Sequence, residues 1–249
     1  MIHLKSPQEL AIMRGANRIV AEILAELATR VTPGVTTMEL NDLSETLATN
    51  HRVRPAFKGY RGFPCALCVS VNEEVVHGIP SRSRVLRQGD VVSLDFGVIY
   101  RDFYGDAAIT LAVGEVDEAA RALLQTAEEA LYRGISRAVA GNHLSDISHA
   151  VQSHVERRGY SVVKEFTGHG IGRGLHEDPQ VPNFGRPGMG VQLKAGMVLA
   201  IEPMVNQGES AIEILQDGWT AVTTDRRLSV HFEHSVAITD NGPEILSQL

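Results

Sequence analysis

Residues 90–112 read DVVSLDFGVIYRDFYGDAAITLA. Val92, Leu94, Phe96 and Val98 alternate with Ser93, Asp95 and Gly97. Phe103, Ala107, Ile109 and Leu111 then alternate with Tyr104, Asp106 and Thr110. A period of two marks two strands, each with an apolar face and a more polar one. A tight turn centred on Tyr100 and Arg101 sets Asp95 opposite Asp106, with the apolar residues of both strands on the other face. Opposed side chains in such a pair lie roughly 5 Å apart at Cβ. Two carboxylates that close repel each other unless a cation lies between them. The hairpin therefore reads either as half of a metal site or as two solvated aspartates beside a turn.

The rest of the chain supplies the context. With 249 residues, 43% of them apolar and 21% charged, it is long enough to bury a substantial core. A net charge of −7 argues against a nucleic-acid or anionic-membrane surface as the main partner, although Arg82, Arg84 and Arg87 form a small basic patch. No apolar run reaches the roughly 18 residues that span a bilayer, and MIHLKSPQEL lacks the apolar centre of a signal peptide. These features predict a cytoplasmic protein. The only cysteines, Cys65 and Cys68, have CxxC spacing but lie in a strand-like segment with no second pair. Reduced thiols fit that setting better than a redox or zinc site.

Ser6, Pro7 and Glu9 mark the start of a helix that runs to about Thr29, and Thr37 can cap a second through about Asn50. Residues 55–64 (PAFKGYRGFP) form a shaped loop rich in aromatics, and a strand follows at 66–72. After the hairpin come a helix from about Asp117 to Ala140 and another to about Arg158. Strands are then predicted at Met197–Val205, Glu213–Leu215 and Leu228–Thr239. The halves, about 1–115 and 116–249, share this plan. At an offset of 107 residues Gly34 matches Gly141, Glu39 matches Asp146, and Asp95 matches Glu202. No linker or low-complexity segment divides the chain, so a single domain is expected.

Glu202 (in GMVLAIEPMV) and Glu233 (in LSVHFEHSVAIT) are acids inside apolar strands. Such an acid needs an arginine, a backbone donor or a metal. His169, between glycines in TGHGIG, is either a turn residue or a ligand, because flanking glycines let backbone approach closely. His77 in VVHGIP and His176 in GLHEDP are loop histidines on their own.

Taken together, the motifs YRGFP (60–64), SVNEEVVHGIP (70–80), LDFGVIYRDFYGDAA (94–108), TGHGIGRGLHEDPQVPNFG (167–185), IEPM (201–204) and FEHS (232–235) resemble the type I methionine aminopeptidases. The resemblance covers nearly the whole chain. It implies an α+β pita-bread fold: a curved antiparallel sheet, helices on its outer face, pseudo-two-fold duplicated halves and a site on the concave side. It implies metal ligation by Asp95, Asp106, His169, Glu202 and Glu233, with Asp106 and Glu233 bridging two ions. Four carboxylates balance two divalent cations in charge, which supports two ions independently. Oxygen-rich ligation with one imidazole suits Mn, Fe or Co, with Zn a further option.

The implied chemistry is removal of N-terminal methionine from nascent chains when the second residue is small, by a metal-bridged hydroxide attacking the first peptide carbonyl. By the same resemblance Glu202 is general base or proton shuttle, His176 donates to the oxyanion, and His77 binds the scissile amide or leaving nitrogen. Phe57, Tyr60, Phe63, Cys68 and Trp219 would form the pocket for the methionine side chain. An aromatic, thiol-lined pocket suits an unbranched thioether. The enzyme would act as a cytoplasmic monomer near the ribosome exit, with no nucleic-acid specificity and no membrane partner. Its own Met1-Ile2 start would escape cleavage. The chain departs from the family at three positions: His231 stands where many members carry Gln, Gly97 where some carry Thr, and Phe57 where some carry Cys. Only 33 residues separate His169 from Glu202, too few for the helical insertion of type II enzymes.

Overall fold

The helices begin where side chains can take up the free amides of the first turn. In the computed structural model, which describes residues 1–249, Ser6 and Glu9 form a reciprocal capping box that opens α1 (Pro7–Ala28). Thr36, one residue before the expected Thr37, pairs with Glu39 in the same way at α2 (Thr37–Asn50). There follow β1 (Arg54–Pro55), a 3-10 turn (Tyr60–Gly62), β2 (Leu67–Val71), β3 (Glu74–Val76), β4 (Val91–Tyr100) and β5 (Phe103–Ala112). The second half opens with α3 (Glu118–Ile135) and α4 (Leu144–Glu156). It continues through β6 (Ser161–Val162), β7 (Gly168–Gly170), β8 (Glu177–Val181), β9 (Val198–Ile201), β10 (Met204–Asn206), β11 (Ile212–Ile214), β12 (Ala221–Thr223), β13 (Ser229–His231), β14 (Glu233–Thr239) and β15 (Gly242–Ile245). α3 stops short of the expected Ala140. Ser136 caps it, and its hydroxyl donates to the Arg133 carbonyl at 2.7 Å.

Nine strands make one curved sheet in the order β1-β4-β5-β14-β9-β7-β8, with β2 on β4 and β15 on β14. Two three-stranded sheets, β13-β10-β6 and β11-β12-β3, flank it. Val92, Leu94, Phe96 and Val98, all fully buried, join α1 and α2 in one hydrophobic core. α3 and α4 cover β9 and β14 through a second core that includes Leu123, Leu131, Val151, Leu199, Ile201 and Val236. Gly105 lets α1 approach: a Cβ there would lie 2.8 Å from the Ala16 carbonyl carbon.

The β4–β5 register differs from the expected one. Tyr100 pairs with Phe103, so the turn is Arg101-Asp102, both with positive φ (49° and 64°). A two-residue hairpin turn of this hand requires left-handed backbone at both central positions, which Asp tolerates better than Tyr. Asp95 consequently faces Ala108, and Asp106 faces Gly97. The two carboxylates are diagonal neighbours on the concave face, a spacing of roughly 7–8 Å rather than about 5 Å. Phe57 and Ala56 fill the space beside Gly97, where a Cβ would lie 3.0 Å from Phe57 Cε1 and from Ala56 Cβ.

Both long strands of the second half are divided. β14 pairs with β9 through His234↔Ile201, and β13 pairs with β10 through Met204↔His231. The register is continuous across the gap, so Glu202 lies opposite Glu233 at the break. Pro203 has no amide hydrogen to continue the ladder, and the Phe232 amide donates to its carbonyl at 3.3 Å.

The offset noted in the sequence marks equivalent backbone. Gly34 and Gly141 both have φ of 97°. Their amides donate to the carbonyls of Leu86 and Leu193 at 2.8 and 2.9 Å. Beside them the isolated bridges Thr36↔Val85 and His143↔Gln192 keep the same offset.

Candidate metal centre

Asp95, Asp106, His169, Glu202 and Glu233 come from β4, β5, β7, the β9–β10 break and β14, and their side chains line one cavity on the concave face. Asp106, Glu202 and His169 are held by their scaffold. Buried Asn17 of α1 accepts a hydrogen bond from the Asp106 amide at 3.2 Å and donates to the Met13 carbonyl. The Ser235 hydroxyl donates to the Asp106 carbonyl at 2.8 Å. The Asn183 amide group donates to the Glu202 carbonyl at 3.0 Å. His169 Nδ1 lies 2.9 Å from the Gly170 carbonyl oxygen, which fixes the proton on Nδ1 and leaves the Nε2 lone pair facing the cavity.

The acids lack the partners that buried carboxylates need. Asp95 Oδ1, Asp106 Oδ1 and Glu233 Oε1 are buried with no hydrogen bond, and no arginine or lysine pairs with any of the four acids. Burial pushes Asp95 up to about 7 and Glu202 up to about 8. Burial, followed by the charges of neighbouring acids, holds Asp106 and Glu233 well above the usual carboxylate range. Burial also drives His169 down to about 3, so its imidazole is neutral. A neutral imidazole and converging orphaned carboxylates form a donor set that fits hard-to-borderline divalent cations. Two triads bring one donor atom from each member within 4.8 Å of the others: Asp106, His169 and Glu233, and Glu202, His231 and Glu233.

The remaining predicted residues surround this cluster. His77 has left-handed backbone (φ 60°) and rests edge-on against Phe166, with ring centroids 5.2 Å apart. Its burial lowers its pKa to about 4. The pairing Ala221↔Val76 between β12 and β3 brings Trp219 to it, 6.3 Å between centroids. His176 stacks on Tyr60, whose hydroxyl lies 2.9 Å from His176 Nδ1. The rings of His169 and His176 are 4.3 Å apart. Phe57, Tyr60, Phe63, Cys68 and Trp219 all line the cavity, which has a volume of about 280 Å³. Phe63 and Trp219 meet edge-to-face at 5.2 Å. Cys65 and Cys68 are buried free thiols, and Cys68 sits opposite Asp95 across β2 and β4. The lining also includes Phe166, Leu175 and Met204, which the sequence reading did not place in the pocket. Phe166 precedes the TGHG motif and Met204 ends IEPM, so motif adjacency was the available signal.

The comparisons agree with this geometry. The model of metallopeptidase family M24 matches residues 11–240. A methionine aminopeptidase of Clostridium perfringens is 52% identical over 99% of both chains. The crystal structure of methionine aminopeptidase from Thermotoga maritima superposes with a TM-score of 0.99 at 47% identity, covering all of both chains. A prolidase from Pyrococcus furiosus shares the fold alone, at 22% identity and a TM-score of 0.80, and this chain covers 65% of it. With its curved antiparallel sheet, four outer helices and full-length similarity, the chain belongs to metallopeptidase family M24 and groups there with the methionine aminopeptidases.

Proposed function

We propose that the chain removes N-terminal methionine from nascent proteins and peptides whose second residue is small, using two divalent ions held by Asp95, Asp106, His169, Glu202 and Glu233. The observation that carries this reading is the convergence of orphaned buried carboxylate oxygens at one side of an aromatic cavity of about 280 Å³. Glu233 belongs to both triads and Asp106 to the one with His169, which supports a bridging role for this pair. Bound there, the ions would supply Lewis-acid activation of a water molecule and of the first peptide carbonyl.

The chain's own residues account for the other requirements. Phe57, Tyr60, Phe63, Cys68 and Trp219 offer apolar, polarisable contacts to a thioether side chain. In the tautomer in which the Tyr60 hydroxyl donates to Nδ1, His176 carries its proton on Nε2 and can donate to a developing oxyanion. Such donors are worth ~3–4 kcal/mol. His77, neutral because burial lowers its pKa to about 4, can hydrogen-bond the scissile amide. Glu202, in the same cavity beside both imidazoles, takes the role of general base or proton shuttle. No helix is long and apolar enough to cross a membrane. We take the protein to be a cytoplasmic monomer, one catalytic unit across 1–249, working near the ribosome exit. The test is hydrolysis of Met-Ala-Ser against a Xaa-Pro peptide by protein reconstituted with Mn, Fe, Co or Zn. Cleavage of the first supports the reading, and cleavage of only the second overturns it.

A further inference from the structure

His231 is the one imidazole at the cluster to which the reading above gives no task. Its side chain is 2% exposed, at the end of β13. The Thr110 hydroxyl donates to the His231 carbonyl at 2.6 Å and accepts from the His231 amide at 3.0 Å, and Ser93 bonds Thr110 at 2.8 Å. The backbone at His231 is thus locked to β4 and β5, which also carry Asp95 and Asp106. Its Nε2 is nonetheless buried without a hydrogen-bond partner. An unpartnered buried polar atom is costly, and a fixed one aimed at acids calls for a ligand.

The separations distinguish two roles. His231 Nε2 lies 3.6 Å from Glu202 Oε2, and His169 Nε2 lies 3.5 Å from Glu202 Oε1. A charge-assisted N–H···O bond closes to roughly 2.7–2.9 Å. Two ligands each roughly 2.1 Å from one ion, at octahedral to tetrahedral angles, stand about 3.0–3.4 Å apart. The observed spacing is nearer the ligand pair. Glu202 is flanked by the two imidazoles, one facing each carboxylate oxygen. Its triad with His231 and Glu233 complements the triad of Asp106, His169 and Glu233.

We propose that His231 Nε2 is a sixth protein ligand of the metal centre, binding together with Glu202 and Glu233. This rests on the dinuclear reading above. The second nitrogen donor shifts preference from Mn²⁺ towards Co²⁺ and Zn²⁺, because imidazole favours the later ions of the series.

X-ray absorption spectroscopy of the full chain loaded with Co²⁺ counts imidazoles per ion. Two imidazoles per two ions are expected in the unsubstituted protein and one in His231→Gln. Calorimetry should show Co²⁺ affinity at one site of that variant falling roughly tenfold or more, and Mn²⁺ affinity falling less. One imidazole per two ions in the unsubstituted protein would overturn the proposal even if the variant failed to fold. In that case His231 would be a positioning residue for Glu202. Failure of the unsubstituted protein to bind two ions would instead overturn the dinuclear reading.

Discussion

The Tyr60 hydroxyl lies 2.9 Å from His176 Nδ1, and this bond ties the aromatic loop at 55–64 to a histidine of the catalytic cavity. Removing the hydroxyl frees the imidazole to change tautomer and tilt. In Tyr60→Phe, kcat should fall by roughly tenfold, matching a bond worth about 1–1.5 kcal/mol. Metal content should stay unchanged and KM should move little. Steady-state kinetics beside metal analysis checks this, and lost metal would show that Tyr60 supports the acids as well.

His77→Ala and His176→Ala should each retain both ions and lose about 10²–10³ in kcat. Asp106→Ala should lose metal and activity together, since its carboxylate is central to the cluster and its backbone is held by Asn17 and Ser235. Activity and bound metal measured on the same preparations separate the two classes.

Metal should stabilise the protein more as pH rises. In the metal-free fold Asp95 titrates near 7 and Glu202 near 8, because burial disfavours their charged forms. Their unfolded values are about 4. Groups raised in the folded state cost nothing below about pH 4. Their destabilisation grows from there and is complete above about pH 8. Cations remove that cost by pairing with the ionised acids. Melting curves with chelator and with added Mn²⁺ should therefore diverge between pH 5 and pH 8. A metal-dependent gain that shrank over that range would contradict the assignment.

Gly97→Ala should disturb the pocket through Phe57. The new Cβ would lie 3.0 Å from both Phe57 Cε1 and Ala56 Cβ, tighter than ordinary contact. KM for methionyl peptides should rise severalfold in the single variant and recover in Gly97→Ala combined with Phe57→Cys. Independent, additive effects would show that the two residues are uncoupled.

Much of this arrangement was readable in advance because it rests on short-range patterns. Period-two alternation fixed which faces of β4 and β5 are buried, and the capping box at Ser6 and the cap expected at Thr37 fixed two helix starts to within one residue. The hairpin register was not readable to the same degree. Alternation is unchanged by a shift of two residues, and only the left-handed preference of the turn separates Arg101-Asp102 from Tyr100-Arg101. The divisions at Glu202-Pro203 and Phe232 follow from Pro203, whose missing amide hydrogen was present in the sequence as a signal. Phe166 and Met204 reach the cavity through tertiary packing, and their place beside TGHG and within IEPM was the one local signal for it. The triad containing His231 depends on two segments meeting, the one that carries Glu202 and the one that carries His231 and Glu233, and only the folded chain shows its spacing.

On the proposed function, the acid cluster holds two divalent ions for aminopeptidase chemistry. Titration of metal-free protein with Co²⁺ or Mn²⁺, followed by calorimetry and by Met-Ala-Ser cleavage in the same series, tests it most directly. Two ions bound per chain are expected, with cleavage that appears only as they bind. Cleavage by the metal-free protein, or no metal bound at all, would contradict it.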